Sequence, residues 1–286
     1  MMDKFSIHSE TRQRLIKNFP LAVLQMVGKD AVDFLQRITT NDFHSFKKND
    51  TQKTLLITEK GKLIDAVWVL HRGDDLLLMC NDTLGNEVLS WLNKFIIMED
   101  IQLKNISDQF SFDLILHPEN DINVFCQIDY FGVPAGLILP GTNQYAIPPL
   151  EQSFEQWRIE HGIPALQKKL AHEFNPLELN LWDWISFTKG CYIGQEVIAR
   201  LDTYNKVQRT LCLISSKDDI LECEKLLDEE KKEIGTITNV THIESENIGL
   251  AVVRLKYAVN SSVLRTESGK QLTIEKAFYT KKYGRN

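Results

Sequence analysis

The residues with the most chemical capacity in the shortest span are Lys189, Gly190, Cys191, Tyr192, Gly194, Gln195, Glu196 and Arg200, all within residues 187–200. A cysteine set between two glycines is a candidate for thiolate chemistry, as nucleophile or soft-metal ligand. Two neighbours would favour its ionisation. One is Lys189, two residues ahead; the other is the positive end of a helix carrying Val197, Ile198 and Ala199, with Glu196 in its first turn. The glycines imply a tight loop in front of that helix. A free cysteine also has a plainer fate, as a small buried hydrophobe. Cys80, Cys126 and Cys212 fit that description because they sit in apolar, strand-like runs. The five cysteines, at 80, 126, 191, 212 and 223, form no C-x-x-C pair and no regular spacing, which argues against a zinc site and a disulfide framework.

The elements that must hold this loop can be read in order. Residues 21–27 read as a strand, and 31–38 as a helix with Val32, Leu35 and Ile38 on one face and Asp30 as its N-cap. The polar residues 39–42 are either a binding loop or an ordinary helix stop. Residues 54–58, 62–71 and 75–80 look like three antiparallel strands, followed by an amphipathic helix over 83–97 and strands over 101–106 and 110–116. Short strands and turns fill 122–147. A helix over 150–161 places Leu150, Phe154 and Trp157 in one stripe and stops at Gly162 before Pro164. Beyond 206 the segments 207–215, 233–241, 248–254, 262–266 and 271–278 are β-rich, a pattern suited to a small barrel. The charged stretch 217–232 reads as a solvated loop or helix.

Length and composition bound the function. The 286 residues, 43% hydrophobic and 25% charged, suit a globular protein of two or three domains. A net charge of -6 argues against a broad nucleic-acid surface. Lys281, Lys282 and Arg285 form only a short basic tail, read as a solvated terminus. The first 20 residues have no apolar core of signal-peptide length, and no apolar run approaches bilayer length, so the expected location is cytoplasmic, with no membrane partner.

The motif at Lys189, Gly190, Cys191, Tyr192, Gly194, Gln195, Glu196, Ala199 and Arg200 closely resembles the K-G-C-[YF]-x-G-Q-E signature of the YgfZ-type folate-binding family, which is related in fold to the aminomethyltransferase (T-protein) of the glycine cleavage system. Residues 27–30, 34–36 and 39–42 are similar to the family's opening. The resemblance implies an α+β, three-domain cloverleaf of T-protein type. Its parts would be residues 1–50 plus 140–205 as a discontinuous folate-binding domain carrying the cysteine loop, 51–139 as an inserted α+β domain, and 206–286 as a C-terminal β-barrel. It further implies tetrahydrofolate or a derivative in the central hole and no stably bound metal. The partners would be iron-sulfur client or assembly proteins, including enzymes that thiomethylate tRNA, with no direct nucleic-acid binding. Cys191 would be the working thiol, without classical enzymatic turnover.

Residue roles follow from the same resemblance. In the segment Arg158-Ile159-Glu160-His161-Gly162-Ile163-Pro164, Glu160 would accept hydrogen bonds from the pterin edge. Phe154 or Trp157 would stack on the pterin, although both also suit a core stripe. Leu21 stands where relatives carry tryptophan. Arg209 matches the basic residue at the barrel's entry and suits the glutamate tail of a folate, while Tyr204-Asn205 replaces the usual Arg-Gly before it. T-proteins place a catalytic aspartate at the position of Asp65, so the enzyme alternative is a folate-dependent aminomethyl- or methyl-transferase. The plain expectation for Asp65 is an outward-facing residue of an alternating strand. A cysteine hydrolase would need His161 or His172 paired with the thiol.

Overall fold

The computed structural model describes residues 12–119, 122–141, 146–166, 172–244 and 246–278; the basic tail of Lys281, Lys282 and Arg285 lies outside them. In chain order the elements are β1 (Arg14–Phe19), β2 (Leu21–Val27), α1 (Ala31–Ile38), β3 (Thr51–Ile57), β4 (Leu63–His71), β5 (Asp75–Asn81), α2 (Gly85–Asn93), β6 (Gln102–Asn105), β7 (Phe112–Leu116), β8 (Cys126–Tyr130), β9 (Val133–Ile138), α3 (Phe154–Glu160) and α4 (Gln195–Thr203). They are followed by β10 (Arg209–Ser216), β11 (Lys225–Leu227), β12 (Glu233–Ile243), β13 (Glu246–Arg254), β14 (Val263–Thr266) and β15 (Gln271–Ala277).

These strands make two open antiparallel sheets, ordered β1-β7-β9-β8 and β3-β4-β5-β2-β6, and a closed barrel ordered β10-β13-β12-β11-β14-β15. The sheets do not follow the expected division at residue 50. Strand β2, from the first part, is hydrogen-bonded between β5 and β6 in continuous register from Leu21↔Asn81 to Val27↔Asp75, and β1 pairs with β7. The chain therefore enters both sheets before residue 30.

Two elements lack a sequence signal. Strand β1 alternates poorly because Arg14 is buried and a bulge falls between Ile16 and Phe19. Strand β11 is three residues inside the charged stretch 217–232, with Leu226 alone buried, yet it pairs with both β12 and β14 and closes the barrel. That stretch is thus part of the barrel wall, not merely a solvated loop. The helices expected over 83–97 and 150–161 are shorter than their apolar stripes. In α3 the cause is local: Ser153 Oγ accepts the Gln156 N–H and sets the first turn.

Burial explains which strands hold the structure together. Along β10 and β13, Cys212, Ile214, Ala251 and Val253 fill the barrel, while Leu211, Leu213, Leu250 and Val252 belong to the large core shared with the two sheets. Both faces of these strands are covered, so they read as continuous apolar runs. Helix α3 meets the barrel through Gly162, which takes φ +67° as the helix ends; a Cβ there would lie 2.5 Å from the Phe278 ring. Gly162→Ala is therefore expected to destabilise the protein by about 1–3 kcal/mol through strain and overpacking. The urea midpoint measures this, and an unchanged midpoint would show that the joint yields freely.

Candidate functional site: the cysteine loop and an aromatic cleft

The cysteine loop is fastened from beneath. Lys189 is buried, and its Nζ donates to Thr39 O at 2.8 Å and Asn41 O at 2.6 Å, in the turn that follows α1. Desolvation pulls its pKa down to about 8. The lysine is thus committed to two carbonyls and is not the free cation expected beside the thiol. The Tyr192 ring lies 5.4 Å from the same ammonium, and burial pushes the phenol up to about 12. Residues 39–42 prove to be the receiving scaffold for this loop. Thr39 and Thr40 are fully buried, and Thr40 Oγ1 donates to Trp184 O and accepts from Leu55 N. Of the two alternatives for residues 39–42, the structure shows the helix stop, with Thr39 as the C-cap of α1.

Gly194, at φ +77°, sits at the N-cap position of α4, and a Cβ there would stand 2.4 Å from Thr58 O. Gly190 is different: nothing lies within 4 Å of where its Cβ would be, and its φ is not positive, so neither strain nor crowding demands glycine there. Gln195 N donates to Tyr192 O, and Glu196 occupies the first helical turn. Cys191 is exposed on this framework, as are Glu196 and Arg200. Cys80, Cys126 and Cys212 are buried; burial raises the thiol of Cys80 well above its ordinary range and those of Cys126 and Cys212 to about 12. Cys223 is the other exposed cysteine, on the barrel, with φ +67°. Neither histidine serves Cys191: His161 Nδ1 bonds to Trp157 O, and His172 Nε2 to Glu87 Oε1.

A second feature is a cleft of about 440 Å³ between the two sheets and α3. Its flat walls are Trp68, Tyr130, Phe131 and Phe154; Leu21 and Asp65 also face it. Of these, Leu21, Phe154 and Asp65 were legible in the sequence. Trp68, Tyr130 and Phe131 were not, because aromatics in strands or in the turns that join them look like core. Asp65 is not the outward-facing residue of an alternating strand: β4 is covered on both faces, and Asp65 is fully buried. Its carboxylate accepts Ala66 N and Asn81 N, both at 2.9 Å, yet desolvation dominates and raises its pKa from 3.8 to about 7.

Three expected contacts lie elsewhere. Glu160 is off the wall of this cleft; its two oxygens accept from Gln152 Nε2 and Gln156 Nε2. Trp157 is buried, with its ring stacked on His161 at 4.3 Å. Arg209 lines a separate cleft beside the barrel, where Glu178 takes its Nε at 2.7 Å and its Nη2 at 3.4 Å. Buried Glu178 is a partner the sequence did not announce. Among the described residues, no three His, Cys, Asp or Glu side chains gather as a metal site, and no helix is long and apolar enough to cross a membrane.

Comparison with known proteins agrees with this architecture. Residues 14–118 match the GCVT N-terminal domain family. The solved structure of the glycine cleavage system aminomethyltransferase T from Bartonella henselae superposes with a TM-score of 0.73 over 93% of this chain and 86% of that one, at 15% identity. The fold is that of the T-protein class. The chain is also 24% identical over 291 residues to the tRNA-modifying protein YgfZ of Buchnera aphidicola subsp. Schizaphis graminum, covering 90% of this chain and 87% of that protein. A chloroplastic protein of Arabidopsis thaliana named as a transferase is 29% identical over 231 residues, or 66% of this chain; the chain spans only about half, 53%, of that relative's length. Within the T-protein class of fold, the chain is similar in sequence to YgfZ proteins as well as to aminomethyltransferases.

Two outcomes follow from the geometry. Gly194→Ala should destabilise the protein and loosen the loop, whereas Gly190→Ala should fall within about 0.5 kcal/mol of wild type; paired thermal melts measure both, and equal losses would contradict the unequal crowding. Between pH 3.8 and about 7 the folded chain holds a proton on Asp65 that the unfolded chain has released. Its contribution to stability therefore declines as pH rises through that window. Asp65→Asn should flatten the dependence there, seen as a difference between the two pH profiles of the denaturation midpoint; parallel profiles would mean that Asp65 titrates normally.

Proposed function

We propose that the protein binds a reduced folate and supports iron-sulfur proteins, including those that thiomethylate tRNA, through the thiol of Cys191. The observation that carries this reading is the contrast among cysteines. Cys191 stands exposed on a loop whose neighbours are pinned, while Cys80, Cys126 and Cys212 are packed in cores. A thiolate at that place is a soft ligand able to protect a cluster or hold it during transfer.

The aromatic cleft fits the folate half of the reading. Flat rings offer stacking surface to a planar pterin, the volume is in the usual range for small-ligand sites, and Asp65 and Arg158 supply polar groups on an otherwise apolar wall. Bound there, a reduced folate would supply one-carbon or reducing chemistry. Phe154 and Tyr130 would orient its ring, and Asp65, whose pKa is about 7, would hold or release a proton near neutral pH.

One observation favours a second reading. A fully buried carboxyl with a pKa near neutrality on a ligand-cleft wall is what a folate-dependent aminomethyl- or methyl-transferase would use as its acid-base group. The test separates the two. In cells lacking the protein, Cys191→Ser should fail to restore iron-sulfur enzyme activity while folding and tetrahydrofolate titrate as wild type, and Asp65→Asn should still rescue. Rescue by the serine variant, together with folate-dependent transfer that Asp65→Asn abolishes, would establish the transferase instead.

A further inference from the structure

The cleft beside the barrel, about 760 Å³, runs between α4 and the barrel and is lined by Arg200, Lys206, Arg209 and Arg254, with Glu178, Glu196 and Glu233 among the acids. The barrel register sets Arg209 directly opposite Arg254 across β10 and β13. Like charges opposed in that way are destabilising unless something anionic joins them. Glu178 answers Arg209 alone, through its two-point pairing. Among the described residues, Arg254 and Arg200 have no ion pair, and the Lys206 ammonium rests on the Tyr204 ring at 5.3 Å. Of the acids, Glu178 is taken by Arg209, and Glu233 lies 3.3 Å from Lys225. Three cations are thus left against Glu196, in a chain whose net charge is -6.

We propose that this cleft docks an acidic peptide segment of the partner protein on which Cys191 acts. The inference rests on the proposed thiol function, since Arg200 and Cys191 belong to one loop-helix unit and a segment seated along α4 would be held by the same unit that bears the thiol. Carboxylates suit the site. Guanidinium groups pair with them through two parallel hydrogen bonds, and a peptide can place single acidic side chains against Arg200, Lys206 and Arg254 while stepping past Glu196 and Glu233. A nucleic-acid backbone, with a charge at every step, would meet those two glutamates.

The experiment titrates a fluorescein-labelled hexaglutamate peptide into the full-length protein and follows anisotropy at low and at physiological salt. Binding should weaken with salt, as expected for exposed charges, and the double variant Lys206→Gln, Arg254→Gln should weaken it about tenfold. Neither residue touches the aromatic cleft or the cysteine, so tetrahydrofolate titration and alkylation of Cys191 should be unchanged. Equal binding by wild type and variant overturns the proposal, as does tighter binding of hexauridylate than of hexaglutamate. Displacement of the peptide by triglutamylated but not monoglutamylated folate also overturns it, since the cleft would then take the tail of the cofactor. Folate affinity and Cys191 rescue are read separately, so a wild-type protein that fails to bind the peptide while both persist sinks this inference alone.

Discussion

The constraint on which the site depends is the buried ammonium of Lys189 between Thr39 O and Asn41 O. It ties the cysteine loop to the end of α1, a segment roughly 150 residues away in sequence. Leaving either carbonyl unpaired in that buried turn would cost the desolvation of a polar group. Several other bonds close the same junction: Ser186 N donates to Thr40 O, Thr40 Oγ1 to Trp184 O, and Leu55 N to Thr40 Oγ1. On the far side of the loop, Gly194 lies against Thr58 O with no room for a Cβ. The thiol is exposed because everything around it is spoken for.

This arrangement divides work between a rigid support and an open surface. The backbone flanking Cys191 is fixed by lysine, glycine and threonine contacts, while Cys191, Glu196 and Arg200 face solvent. A group that must meet a partner gains from such a mount, since ordering the loop is already accomplished in the free protein. The aromatic cleft is built on the same logic: Trp68 and Tyr130 stack at 5.6 Å, Phe131 and Trp184 lie at 4.8 Å, and these rings come from strands and turns that are themselves core.

Asp65 shows how burial alone can bring a carboxyl's titration close to neutrality. Its two backbone hydrogen bonds lower its pKa, but the loss of water on both faces of β4 outweighs them. The same covering of both faces makes β4 read as nearly uniform apolar sequence, with one aspartate that alternation would send outward. In the barrel, the like-charged pair Arg209 and Arg254 arises only because β10 and β13 are in register, with the two residues 45 positions apart in the chain.

The sequence by itself determined the cysteine loop, the start of α4 at Gly194, the stop of α3 at Gly162, the β-rich carboxyl-terminal region and the core character of Cys80, Cys126 and Cys212. These features are written in local terms: glycine backbone freedom, caps and apolar period, which few tertiary contacts override. Only the tertiary structure decided where side chains from distant segments meet. It sent Lys189 inward to two carbonyls, gave Arg209 to Glu178, held Glu160 with Gln152 and Gln156, and enclosed Asp65 beside Phe154 and Leu21. It also promoted Leu226 and its two neighbours to a barrel strand. The physical reason is the same in each case: desolvation, register and pairing depend on what covers a residue, and the cover comes from parts of the chain that no local pattern connects to it.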